Sequence, residues 1–159
     1  DQTPGENMMN AEPQAAAKTR IWIARVLIAV VLAVNLQAAV SYLLNPQAFS
    51  ASFELRGAPG SAAVAGVGIL YLMWQVPYIF ALSNPIVRRV SLLEAILMQT
   101  IGLVGETWLL GRIDAGHAVL RSSITRYIVF DAAGLVFLAA AYCAANCPFS
   151  LFKKGETNV

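Results

Sequence analysis

The stretch 124–145, ITRYIVFDAAGLVFLAAAYCAA, decides the fold. About 20 predominantly apolar residues cross ~30 Å of hydrocarbon as a helix, and this run is that long. It lacks the alternation of a barrel strand, and inside a bilayer only a helix or a closed barrel satisfies the backbone. The run is therefore a transmembrane helix. It nevertheless carries Arg126 and Asp131. A charge at the bilayer centre costs roughly 2.5 to 3.5 kcal/mol on insertion scales, so such residues are paired, buried among helices or functional.

Three more runs of the same kind precede it, at about 21–44, 62–82 and 90–111. Breakers separate them: Asn45-Pro46, then Gly57-Ala58-Pro59-Gly60, then Asn84-Pro85, with residues 111–123 as the last link and Cys147-Pro148 as the stop. The composition agrees. Of 159 residues 58% are hydrophobic and 13% charged, with a mean hydropathy of +0.63, whereas soluble domains carry about 25% charged residues. The expectation is an all-α polytopic membrane protein, a four-transmembrane-helix bundle. Residues 1–20 read as a polar N-terminal tail or interfacial arm, and 148–159 as a C-terminal tail. The run after Arg20 is too long for a signal-peptide core. A net charge of +2 with dispersed basic residues excludes a nucleic-acid partner.

Lys18, Arg20, Arg88, Arg89, Lys153 and Lys154 fall on one side of this topology, and Arg56, Arg112 and Arg121 on the other. The positive-inside rule then places both termini in the cytoplasm, as for a multi-pass protein of the bacterial inner membrane. The segment 47–56, QAFSASFELR, is either a short interfacial helix seated by Phe49, Phe53 and Leu55 or an ordinary outer loop.

Counting ~1.5 Å per residue from the helix ends gives each polar residue a depth. Arg25 and Glu94 are level near the cytoplasmic face, and Glu106 and Arg126 near the outer face. Two structural ion pairs are expected, Arg25–Glu94 and Glu106–Arg126. Glu94 has Arg88 and Arg89 as competing partners, and Arg126 can instead snorkel to the headgroups. Asp131 is deeper and about 140° around its helix from Arg126. Its depth matches Gly102, Gln99 and Asn35, so a hydrogen bond to Gln99 or Asn35 is expected. With Trp74 and Tyr78, one turn apart beside Pro77, these residues form a candidate buried polar site. It could suit a quinone, lipid or pigment, though aromatic residues at this spacing are more often plain core.

Other signals are quieter. Cys143 and Cys147 read as free cysteines, with palmitoylation as the alternative. The lone His117 is a solvated loop residue or a ligand to a pigment or metal held with a partner. No pair of intramembrane histidines exists for a b-type haem, and no metal, phosphate or dinucleotide motif is present, so no intrinsic cofactor and no catalytic residue are assigned. Small residues at Ala62, Gly66, Gly68, Gly102, Gly105, 132–134 and 139–141 permit close helix contacts, some of them with partner subunits.

Arg25 near the head of the first helix, the Asn45-Pro46 exit, and a glycine-bearing second helix give the region of roughly 20–145 a layout that resembles the DoxX-like family of small bacterial membrane proteins. The resemblance implies a four-helix subunit associated with quinone-linked sulfur oxidation or redox-stress complexes. The leading expectation is a non-catalytic subunit that packs into a larger membrane complex, handling electrons or not, with other membrane protein subunits and lipids as partners. The alternative is a small enzyme or carrier centred on Asp131, Gln99 and Glu106.

Overall fold

The computed structural model describes residues 4–147, with side chains from residue 15 onward. In chain order it contains α1 (Pro4–Leu44), α2 (Pro46–Ser50), a 3-10 turn (Ala51–Phe53), α3 (Gly57–Ser83), α4 (Arg89–Leu110) and α5 (Ala118–Asn146). The Ala15–Leu44 part of α1, together with α3, α4 and α5, is long and apolar enough to cross a membrane. The chain is an all-helical, multi-pass membrane protein built as a four-helix bundle. The expected C-terminal tail, 148–159, and residues 1–3 lie outside the described residues.

Three boundaries differ from the sequence reading. Residues 4–20 continue α1 instead of forming a separate tail, as good helix formers such as Ala and Gln at 14–17 allow. The Gly57-Ala58-Pro59-Gly60 break is the first turn of α3. Pro59 costs nothing there, because first-turn N–H groups lack helical partners anyway. The helix opens from Gly57 at φ +66°, a left-handed value glycine adopts freely. α5 starts at Ala118 rather than near 124, drawing residues 118–123 of the expected 111–123 link into the helix.

The turns follow their local chemistry. Asn45 leaves the helical region before Pro46, at φ −138° and ψ 58°, because proline disfavours the α conformation in the residue before it. Asn84 Oδ1 accepts the N–H groups of Ile86 (3.2 Å) and Val87 (3.1 Å), closing an Asx turn over buried Pro85.

The spanning helices form a ring in which α1 touches α3 and α5, and α4 touches the same two. Gly68 allows the α1–α3 approach, since a Cβ there would lie 3.0 Å from the Ala39 carbonyl oxygen. The bundle has two ends: a turn end at residues 84–88 and a loop end at 45–56 and 111–117. The tight core, including Ala24, Ile28, Leu92, Ala95, Leu138 and Ala141, sits toward the turn end. Trp22 near one end and Trp108 near the other are largely exposed, as expected of aromatic residues at the two membrane interfaces.

Arginines near the ends of the bundle close helix termini. No spanning helix carries a basic residue in its own last turn. Arg25 of α1 instead donates to the Ser83 carbonyl at the end of α3. Arg20 donates to Ala144 O (2.9 Å) and to Cys147 O at the end of α5. Arg121 donates to Leu110 O (3.1 Å) and Ile113 O (2.5 Å), closing α4. Each guanidinium meets orphan carbonyls at the negative end of a helix dipole.

Candidate functional site

Those caps overturn the expected ion pairs. Arg25 is spent on Ser83 O, and Glu94 is exposed without it. Arg126 is exposed and donates to Ser123 Oγ (3.0 Å), not to Glu106. Among the described residues the one salt bridge joins His117 and Glu54. Depth counting brought the right levels together but carried no information on which way each long side chain turns. A helix C-terminus offers several oriented carbonyls, and an arginine reaches them without burying an ion pair.

The candidate polar site is assembled. Tyr78 of α3, 2% exposed, donates its hydroxyl to Gln99 Oε1 at 2.6 Å. Gln99 of α4 passes the direction on, donating Nε2–H to Asp131 Oδ1 of α5 at 2.9 Å. Three helices are thus joined by one directed chain, Tyr78 to Gln99 to Asp131. Two glycines make room for it. A Cβ at Gly102 would fall 2.3 Å from Asp131 Oδ2, and one at Gly134 would fall 2.7 Å from Gln99 Nε2.

This chain forms the inner wall of a cavity of about 410 Å³ in the loop-end half, between α3, α4 and α5. Asn35, Trp74 and Glu106 line it as well as Tyr78, Gln99 and Asp131. Asn35 therefore shares the space with Asp131 but not its hydrogen bond. Glu106 Oε2 is buried and has no hydrogen-bond partner among the described residues. The same holds for Gln75 Oε1, on a residue 3% exposed. Its amide nitrogen is held by the Tyr71 carbonyl at 2.7 Å, which fixes the oxygen as the free end. A second cavity of about 290 Å³ adjoins, sharing Asn35, Tyr71, Tyr127 and Asp131, with Arg126 on its wall.

An aromatic roof covers the loop end. The segment 47–56 is helical as far as Phe53, in line with one of its two readings, but Phe49 and Phe53 turn inward. Phe49 meets the Tyr42 ring edge-on at 4.9 Å, and Phe53 stacks on Tyr127 at 5.9 Å. The Tyr42 and Tyr127 hydroxyls hydrogen-bond beneath it. Tyr71 stacks on Tyr42 at 6.0 Å and leads to Trp74 at 5.5 Å.

His117 belongs to the roof's latch. Its Nδ1 lies 2.5 Å from Glu54 Oε2, while Glu54 Oε1 accepts Leu120 N–H (3.2 Å) in the first turn of α5. Glu54 thereby serves as the N-cap that the His117 side chain does not supply. Glu54 sits at φ 57°, a left-handed conformation held by these contacts. Hydrogen bonding to His117 holds the Glu54 carboxyl below its usual range, and the same bond raises the imidazole above its own.

Sequence reasoning placed Gln75 beside Trp74 and Tyr78 but missed Tyr42, Tyr71, Tyr127 and the roofing role of Phe53. One signal was legible: Tyr71, Gln75 and Tyr78 recur at helical spacing on one face of an otherwise apolar helix. No known protein family, curated protein or solved structure matches this chain.

Proposed function

We propose that this protein binds a small amphipathic molecule inside the membrane, in the cavity between α3, α4 and α5. The observation that carries this reading is the coincidence of an aromatic-walled space with buried polar atoms lacking partners, Glu106 Oε2 and Gln75 Oε1. Buried polar groups are ordinarily satisfied, and leaving one unpaired costs about 1 to 3 kcal/mol. Ligand pockets of ~300 to 1,000 Å³ combine apolar walls with a few placed polar groups in this way. The polar end of the ligand would lie toward Gln75, Glu106 and Asp131 beside the Trp74 and Tyr71 rings, its apolar part along Val67, Leu70 and Leu109. The bundle then acts as a carrier or binding subunit, and no bond-making step is assigned to it.

The test is extraction in mild detergent followed by mass spectrometry of co-purifying small molecules. Gly105 lines the cavity, and a Cβ there meets nothing within 4 Å. Gly105→Phe therefore fills the space without a clash at its root. Loss of a co-purified molecule in this variant, with the bundle still monodisperse, supports the reading. A wild-type protein that carries nothing and responds to no added amphipath would refute it.

Docking into a larger complex is a second reading, supported by Gly66, whose Cβ position opens on empty space. Small residues on a lipid-facing helix surface admit a second helix at close range. A native mass of one chain in gently solubilised membranes would remove it. Membership of the DoxX-like family and a bacterial inner membrane with cytoplasmic termini belong to the same proposal. Labelling from outside the cell of a cysteine at Ser52, but not at Val87, in a cysteine-free background supports that orientation.

A further inference from the structure

The polar inventory of the cavity selects among ligand chemistries, an argument that rests on the binding reading above. Gln75 Oε1 and Glu106 Oε2 are buried acceptors without donors, on a glutamine whose amide nitrogen is already engaged. Asp131 contributes a carboxyl whose Oδ1 takes Gln99 N–H and whose Oδ2 faces Gly102. Both carboxyl groups thus look into one space, and among the described residues no lysine, arginine or histidine lines it. Arg126 lies on the wall of the adjoining cavity, where it is exposed and hydrogen-bonded to Ser123.

A quinone fits this poorly, because its carbonyls bring more acceptors to groups that need donors. A fatty acid brings a third carboxylate. An ammonium group brings N–H donors and the opposite charge. Its hydrogen bonds to carboxylates are roughly twice as strong as neutral ones. The remaining walls suit it as well. The Trp74 and Tyr71 rings stand 5.5 Å apart and tilted by 44°, and aromatic faces attract a cation within about 6 Å of their centroids.

We infer that the cavity takes a lipophilic organic cation, a primary or secondary ammonium with an apolar tail, held by Glu106, Asp131 and Gln75 against the Trp74–Tyr71 wall. The tail leaves between the helices toward lipid, and the headgroup replaces the donors that those acceptors lack. Glu106 is the main anchor, since Asp131 is already tied to Gln99.

The experiment compares three probes of equal chain length at pH 7 in uncharged maltoside micelles: 1-aminodecane, 1-decanol and decanoate. Binding to the full chain is read by native mass spectrometry and by titration of tryptophan fluorescence. The expected result is saturable binding of the amine at least tenfold tighter than the alcohol, with decanoate weakest. Glu106→Gln keeps the shape and should weaken the amine at least tenfold and the alcohol by far less. Gly105→Phe should abolish amine binding. If the alcohol binds as tightly as the amine and is still displaced by Gly105→Phe, the cationic class falls and the cavity reading survives. If no probe binds saturably, or Gly105→Phe alters none of them, the cavity reading itself fails. Should Glu106→Gln not assemble, the amine-to-alcohol ratio of the wild-type protein decides alone.

Discussion

Replacing Gln99 by methionine removes the middle of the Tyr78–Gln99–Asp131 chain while keeping an unbranched side chain of similar length. Three hydrogen bonds disappear, one of 2.6 Å from the Tyr78 hydroxyl, one of 2.9 Å to Asp131 Oδ1 and a long one of 3.4 Å to the Asp131 carbonyl oxygen. The Tyr78 hydroxyl is then stranded on a residue only 2% exposed. Intramembrane hydrogen bonds average about 0.6 kcal/mol and reach about 1.7 in double-mutant cycles. An orphaned buried group costs about 1 to 3 kcal/mol. Gln99→Met should therefore destabilise the bundle by about 1 to 3 kcal/mol. Tyr78→Phe should cost about 1 kcal/mol, since it strands only Gln99 Oε1. In the double variant the stranded hydroxyl is gone, so the combined loss should fall short of the sum by roughly 0.5 to 1.5 kcal/mol. Equilibrium unfolding in mixed micelles measures all four corners of the cycle. Strict additivity would mean that Tyr78 and Gln99 do not share a bond, and the polar wall of the cavity would lose its basis.

Further outcomes can be checked one by one. Gly134→Ala drives a methyl to 2.7 Å from Gln99 Nε2 and 3.5 Å from Val31 Cγ1; overpacking of this kind costs about 1 to 3 kcal/mol, and the same unfolding assay reads it. Arg121→Met strips the donor from Leu110 O and Ile113 O, so amides near residues 110–114 should exchange faster with deuterium than in the wild type while those of the turn-end core stay protected. The Glu54–His117 latch should depend on pH in a bell shape. His117 is raised above 6.5, so its contribution is full below 6.5 and is lost as pH climbs through the folded value. Glu54 is lowered below 4.5, so its contribution is full above 4.5 and is lost as pH falls through the folded value. Protection of the 51–56 amides, taken relative to their intrinsic exchange rates, should be greatest between about 4.5 and 6.5, and a flat protection profile would show that the two side chains do not meet.

Much of the candidate site was legible because depth in a membrane helix is a one-dimensional count. The level of Asp131 with Gly102 and Gln99 needed only ~1.5 Å per residue from two helix ends. What the count lacks is azimuth and reach. Arg25 and Glu94 share a level, yet the guanidinium goes to a helix end because oriented carbonyls are within range of its long side chain. The roof was ambiguous for a similar reason. Phe49 and Phe53 suit a lipid interface and a protein interior equally well by hydrophobicity, and only the Tyr42 and Tyr127 rings beneath them decide between the two.

Composition and run length by themselves determined the fold class and the four spans, since a bilayer admits apolar helices of one length and almost nothing else. They also determined which residues were expensive enough to matter, Glu106 and Asp131 among them. Tertiary structure alone decided the ring order of the helices, the arginine caps and the position of the hollow. The turn-end half fills with Ile28, Leu92 and Leu138 and excludes space. In the loop-end half, large rings and polar side chains meet around Gly102 and Gly105 and leave a cavity. Whether side chains fill the gap between helices depends on how the faces of four helices meet, which no single run of sequence contains.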